Sequence, residues 1–225
     1  MKRLLTALIL GTLIPGTAMA ADLSTDKQKF SYALGTQIGR NVSEQGVELD
    51  ADAFAAGVRD LLKGDNLQLS NEQMQLAAER YQQELKTRRD AAGTENSAAG
   101  SAFREKNKQA TGVKELDNGI QYKVIEAGDG AKPSVEDTVT VHYRGTDIDG
   151  EQFDSSYDRG EPATFQLNKV IKGWQEILPM MQEGGTWHVV IPPKLAYGER
   201  GAGAAIGPNE TLVFDIELIE IKATD

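Results

Sequence analysis

The stretch that most constrains this chain is Val170-Ile171-Lys172-Gly173-Trp174-Gln175-Glu176-Ile177-Leu178-Pro179, a short amphipathic run built round a tryptophan. Pro179 has no backbone donor, and its ring clashes with a continuing helix, so the run predicts a helix of about two turns. A helix that short does not hold itself in water. It needs a surface to lie on, and the segments on both sides read as strands. The expectation is one short helix cradled by an antiparallel sheet, with Trp174 at the interface. Taken alone, that interface means core packing.

The strands come from a change of period at Gly112. Asn118-Gly119 is a turn signal, followed by a strand at Ile120–Ile125. Thr138–Arg144 alternates, with Val139, Val141 and Tyr143 on one face. Asp149-Gly150 predicts a hairpin turn of the primed type. Phe165 and Leu167 lie on a further short strand, Trp187–Ile191 on another that Pro192-Pro193 ends. In Thr211–Lys222, Leu212, Phe214, Ile216 and Leu218 face one way and Asp215 and Glu217 the other. The fold class is α+β: an antiparallel sheet wrapped round a short helix, preceded by an all-helical region.

The first half is helical. Met1-Lys2-Arg3, the apolar run Leu4–Ile14 and Ala18-Met19-Ala20 have the layout of a signal peptide, so residues 1–20 are expected to be removed. Helix 1 follows Ser24-Thr25-Asp26 and carries Phe30, Leu34, Ile38 and Val42 at helical spacing, with Gly46 as its stop. Helix 2 starts near Asp50 or Asp52 and puts Phe54, Val58, Leu61 and Leu62 on one face. Ser70 with Gln73 forms a capping-box pattern for helix 3, whose stripe is Met74, Ala78, Tyr81 and Leu85. About 60 residues bury little core alone, so residues 22–85 are expected to pair with a second copy as a homodimer. The domain division is thus 1–20, 21–85, a connector at 86–111 read as helical, and 112–225. Thr87–Lys108 lacks an apolar stripe, and Gly93 and Gly100 weaken it by about 1 kcal/mol each relative to alanine. A bend or fraying near 93–100 is expected.

Composition removes several chemistries. There is no cysteine, hence no disulfide and no thiol nucleophile. Two histidines, His142 and His188, each read as strand residues; no metal and no cofactor are expected. Asp147, Asp149 and Glu151 lack the ligand order of a calcium loop and read as a turn. The formal charge is −10, or −12 without Lys2 and Arg3, which argues against a nucleic-acid partner. Gly201–Gly207 has neither the spacing nor the following helix of a phosphate loop and reads as a loop shaped by glycine. What the second half does offer is aromatic surface: Tyr143, Phe153, Phe165, Trp174, Trp187, Tyr197 and Phe214. Trp187 reads as plain core. Asp154 and Arg159 stand beside these rings, and aromatic walls with a few polar handles suit a binding pocket.

Five separated motifs then agree in order: Val141-His142-Tyr143-Arg144-Gly145, Phe153-Asp154-Ser155-Ser156, Val170-Ile171-Lys172-Gly173-Trp174, Ala196-Tyr197-Gly198 and Thr211-Leu212-Val213-Phe214. Over about 115–222 the chain resembles an FKBP-type peptidyl-prolyl cis-trans isomerase. The leader, the helices, the connector and Ile206–Leu212 are similar to the secreted dimeric branch of macrophage infectivity potentiators and FkpA-like isomerase–chaperones. The resemblance implies that Trp174 floors a proline pocket walled by Tyr143, Phe153, Val170, Ile171 and Phe214. It implies that the Ile171 N–H and the Tyr197 hydroxyl hold substrate carbonyls. Asp154 would lie near the carbonyl of the rotating bond, with Arg159 orienting Asp154 or Tyr143, and Ile206 would contact substrate. Asp154, Ile171 and Tyr197 are thus the implied catalytic groups. The implied partners are proline-containing unfolded polypeptides and macrolide inhibitors, and the implied location is the periplasm, outer membrane or cell surface. Ala163, Ala202, Ala205 and Gly207 depart from the common pattern and bear on loop contacts, substrate preference and macrolide affinity. The competing readings are a holdase chaperone with isomerase activity secondary, and a host-interaction protein.

Overall fold

The computed structural model describes residues 21–44 and 46–222. The signal-peptide reading of 1–20 lies outside them. The chain divides after Val42 into two compact units.

The first unit is most of α1 (Asp26–Glu44). Its start is a reciprocal cap: Gln28 N donates to Thr25 Oγ1 at 3.3 Å, and Thr25 N donates to Gln28 Oε1 at 2.8 Å. Its apolar stripe is exposed among the described residues, with Phe30 70% exposed.

The second unit begins with two capped helices. Asp50 caps α2 (Ala51–Lys63), accepting from Ala53 N, and Gly64 closes it at φ 70°. Ser70 and Gln73 form the expected capping box on α3 (Asn71–Asn107). The expected fraying is absent: α3 runs unbroken for 37 residues, about 55 Å along its contour. Gly93 and Gly100 are its only buried residues. They are places where another part of the chain comes close, and that packing outweighs their poor propensity.

Among the described residues seven strands follow: β1 (Val113–Glu115), β2 (Gln121–Glu126), β3 (Thr138–Thr146), β4 (Gln152–Ser155), β5 (Ala163–Gln166), β6 (Thr186–Ile191) and β7 (Leu212–Lys222). They pair antiparallel in the order β1-β2-β6-β7-β3-β4, with β5 also on β3. β6 and β7 are central, and along β7 Leu212, Phe214, Ile216 and Leu218 are buried and face the core. β1 was not read from sequence, since three residues are too few to show a period. Leu167 leaves its strand and starts a 3-10 turn.

The opening run forms α4 (Lys172–Ile177), continued by a 3-10 turn at Leu178–Met180 that contains Pro179. It packs against the core face of the sheet. Gly173 permits the approach: a Cβ there would fall 2.5 Å from Ile191 Cγ2. Trp174, Ile177 and Leu178 enter the single core with Ile120, Val139, Val141, Leu167 and Ile191.

The β3–β4 turn differs from expectation. Only Gly150 takes positive φ, at 88°, whereas a primed turn of that type needs it at both central residues. The Asp147 carboxylate instead accepts from Asp149 N and Glu151 N at 2.9 and 2.8 Å, which selects a longer loop. No described helix is long and apolar enough to cross a membrane.

Candidate active site

Trp174 lies on α4 with its ring 4% exposed, and three aromatic rings meet it edge-on. Tyr143 from β3 stands 5.3 Å away at 88°, Phe214 from β7 5.4 Å at 79°, and Phe165 from β5 5.7 Å at 89°. Such edge-to-face pairs contribute roughly 0.5–1.5 kcal/mol each beyond buried area. They hold the indole as a rigid floor. The Trp174 Nε1 has no hydrogen-bond partner among the described residues.

Above this floor opens a cavity of about 310 Å³. Phe153 from β4 packs edge-on against Phe214 at 5.6 Å. Gly145 makes room for it, since a Cβ there would lie 2.6 Å from the Phe153 ring. Val170 and Ile171, at the entry to α4, form the opposite wall. Gln175 pins that entry by donating to Val170 O at 2.7 Å. The Ile171 N–H precedes the first helical turn and has no acceptor among the described residues.

One rim of the cavity carries a closed polar network. Arg159 Nη1 donates to Asp154 Oδ1 at 2.6 Å, and Nη2 donates to Tyr143 Oη at 2.9 Å. The Tyr143 hydroxyl in turn donates to Asp154 Oδ2. Burial pushes the Asp154 carboxyl up, but the hydrogen bonds from Tyr143 and Arg159 outweigh it and hold it below its ordinary range. Burial, then the Asp154 bond, pushes the Tyr143 phenol up. These partners keep one carboxylate ionised and aimed at the cavity. Tyr197, on the far rim, is 41% exposed, and its hydroxyl has no hydrogen-bond partner among the described residues. Burial raises its phenol, so it stays a donor at neutral pH.

Of the residues singled out from sequence, Tyr143, Phe153, Asp154, Val170, Ile171, Trp174, Tyr197 and Phe214 line this one cavity. Arg159 does not line it but reaches it through Asp154 and Tyr143. Ile206 does not line it either: its side chain is buried in the core, and its backbone pairs with Ala202. Phe165 and Lys169 line it without having been assigned there. Phe165 was visible as an aromatic on a strand; nothing in its period marked which face it would take. His142 bonds Ser156 and stacks on Tyr157, and His188 bonds Asp215, so both are accounted for on the sheet. No group of residues able to hold a metal occurs among the described residues.

A single antiparallel sheet wrapped on a short helix, with an indole-floored cavity between them, suits the binding of a small apolar ring. The sequence matches the family model for FKBP-type peptidyl-prolyl cis-trans isomerase over residues 130–219. It also matches the model for the domain amino terminal to FKBP-type peptidyl-prolyl isomerase over 27–124. The "Outer membrane protein MIP" of Legionella longbeachae is 47% identical across 98% of this chain and 97% of its own. FkpA of Escherichia coli K12 is 43% identical across 92% of this chain and 81% of its own. The crystal structure of Escherichia coli FkpA matches with a TM-score of 0.63 at 40% identity, covering 91% of this chain and all of that one. The chain belongs to the FKBP-type peptidyl-prolyl cis-trans isomerases, of the Mip and FkpA kind.

Proposed function

We propose that the enzyme turns X–Pro bonds in exported, incompletely folded polypeptides, with the proline ring seated on Trp174. The observation that carries this is the cavity itself: rigid rings below, and unpaired donors on Ile171 N–H and Tyr197 Oη at its walls. Those donors hold the carbonyls on either side of the ring. Phe153 and Phe214 grip its edge, and Asp154 faces the carbonyl of the rotating bond.

The chemistry needs no covalent intermediate. Uncatalysed rotation faces a barrier of about 18–20 kcal/mol and takes tens to hundreds of seconds, because it breaks amide resonance. The planar amide is the more charge-separated state, so a site that strips its water favours the twisted one. Fixing both flanks of the bond adds orientation. A thousandfold acceleration corresponds to only about 4 kcal/mol. The double variant Tyr197→Phe/Asp154→Val is expected to lose most peptide activity while remaining folded. An unchanged rate would remove both residues from the mechanism.

The division into 21–85, a connector at 86–111 and 112–225 belongs to the same reading, with residues 22–85 forming a homodimer after export into the periplasm. Its support is the apolar faces that the single chain leaves open. Leu61 and Leu62 on α2 are 69% and 81% exposed, and Phe54 and Val58 share the helix with them. Such faces call for a partner. Sedimentation of the full chain would give twice the monomer mass, and Leu61→Glu/Leu62→Glu would shift it to monomer. The same open faces favour a second role, holding unfolded clients. Suppression of aggregation that survives the pocket variant but not the Leu61/Leu62 variant would establish it.

A further inference from the structure

The second half of α3 has no apolar stripe, yet one of its faces is fully used. Arg89, Gly93, Asn96, Gly100, Arg104 and Asn107 recur at intervals of three or four, which places them on one side of a helix. That side lies along the segment from Gly198 to Thr211. The Arg89 guanidinium donates to the carbonyls of Glu199 and Arg200. Asn96 Nδ2 donates to Pro208 O at 2.9 Å, and Asn209 Nδ2 donates back to Gly93 O at 3.3 Å. Arg104 donates to Thr211 Oγ1. At the end of the helix, the fully buried Gln121 of β2 accepts from Asn107 at 2.9 Å and donates to Arg104 O at 2.8 Å.

The two glycines sit where the approach is closest. A Cβ on Gly93 would lie 3.3 Å from Pro208 Cβ, and one on Gly100 would overlap Thr211. Within itself the segment is tied by the Ala202–Ile206 pair, by Asn209 N to Gly198 O and by Gly207 N to the Glu210 carboxylate, and Ile206 anchors its middle in the core. The stretch from Pro208 to Thr211, where Asn209 sits at a positive φ of 57°, is the part that α3 holds. At one end the whole segment carries Tyr197, and at the other it enters β7 toward Phe214, both lining the cavity.

We propose that this polar stripe makes α3 a positioning element of the isomerase site. Arg89, Asn96 and Arg104 hold the 198–211 segment, and with it the Tyr197 hydroxyl, at the distance substrate requires. The helix is then part of the catalytic unit rather than a spacer in front of it. This rests on the isomerase reading of the cavity given above.

The test uses the full chain. Wild type, Arg89→Ala/Asn96→Ala, Arg89→Lys/Asn96→Ala, Gly100→Ala and the exposed-helix control Gln82→Ala are compared. KM and kcat are measured separately on a short X–Pro peptide, and amide exchange is followed at Ala202, Ile206 and Asn209. The double alanine variant is expected to raise KM about three- to tenfold, the scale of one or two lost hydrogen bonds, with kcat within about twofold. Exchange at those three amides should quicken while β3 stays protected, and lysine at 89 should recover part of both effects. Gly100→Ala should lower the melting temperature, whereas on a free helix the same change raises it by about 2–4 °C. Unchanged KM and exchange in the double variant, with a raised melting temperature for Gly100→Ala, would overturn the proposal. A wild-type chain without activity on the peptide would instead sink the isomerase reading, and the exchange data would still decide the coupling.

Discussion

Arg159 and Asp154 are five residues apart, and the 2.6 Å bond between them fixes the carboxylate at the rim of an otherwise apolar cavity. The pair is half-exposed and solvent-screened, so it adds little to stability. Its effect belongs to the site. Arg159→Ala should leave the melting temperature nearly unchanged and lower kcat/KM about five- to tenfold, the cost of one charge-assisted hydrogen bond. The sign of the pH dependence follows from the depressed carboxyl. What ionised Asp154 contributes is fully present above the unperturbed carboxylate value, near 4, and is lost only as pH falls through its lower folded value. The activity profile should be flat from neutrality to about pH 4 in wild type, and Arg159→Ala should move its acid limb upward.

Gly173 sets how near α4 sits to the sheet. An alanine there would gain about 1 kcal/mol of helix propensity but press on Ile191, which is fully buried. Overpacking a filled core costs about 1–3 kcal/mol, so a net loss of roughly 1 kcal/mol is expected in a denaturant melt of Gly173→Ala. Because Trp174 follows directly, peptide KM should rise as well. A stabilised variant would mean that helix and strand have slack between them.

Glu210 is ionised at a cost. Burial first, and the charges of Asp147 and Glu151 further, push its carboxyl up, against the lowering effect of a 2.9 Å bond from Gly207 N. A carboxyl raised on folding weakens the fold above its folded value, and the penalty vanishes below its unfolded one. Glu210→Gln keeps an acceptor for Gly207 and removes the charge. It should therefore raise the melting temperature at pH 7 and make no difference below about pH 4. An equal gain at both pH values would show that charge is not the cause.

The elements were legible wherever a local rule governs. Ser70 with Gln73, Asp50 and Gly46 start and stop helices through contacts within a few residues. Alternation in Leu212–Leu218 marked the central strand because one face of it is buried. Most of the cavity wall was legible through the motif resemblance, which brought Tyr143, Asp154, Ile171 and Trp174 forward from three separate segments. Phe165, Lys169 and Ile206 all lay outside those motifs; the first two line the cavity, whereas Ile206 is buried in the core.

The sequence by itself determined the caps, the period of each strand and the short helix that the sheet must cover, because these depend on neighbours in the chain. Only the tertiary structure decided the length of α3 and the use of its polar face. Gly93 and Gly100 read as weak points, since propensity counts a glycine's missing side chain as a loss. In the fold that missing side chain is the space Pro208 and Thr211 occupy. A stripe of arginine, asparagine and glycine has no hydrophobic signature, and the partners of Arg89 and Asn96 are backbone carbonyls more than 100 residues away along the chain. Nothing local can encode them, because a carbonyl has no identity in the sequence until the fold brings it near.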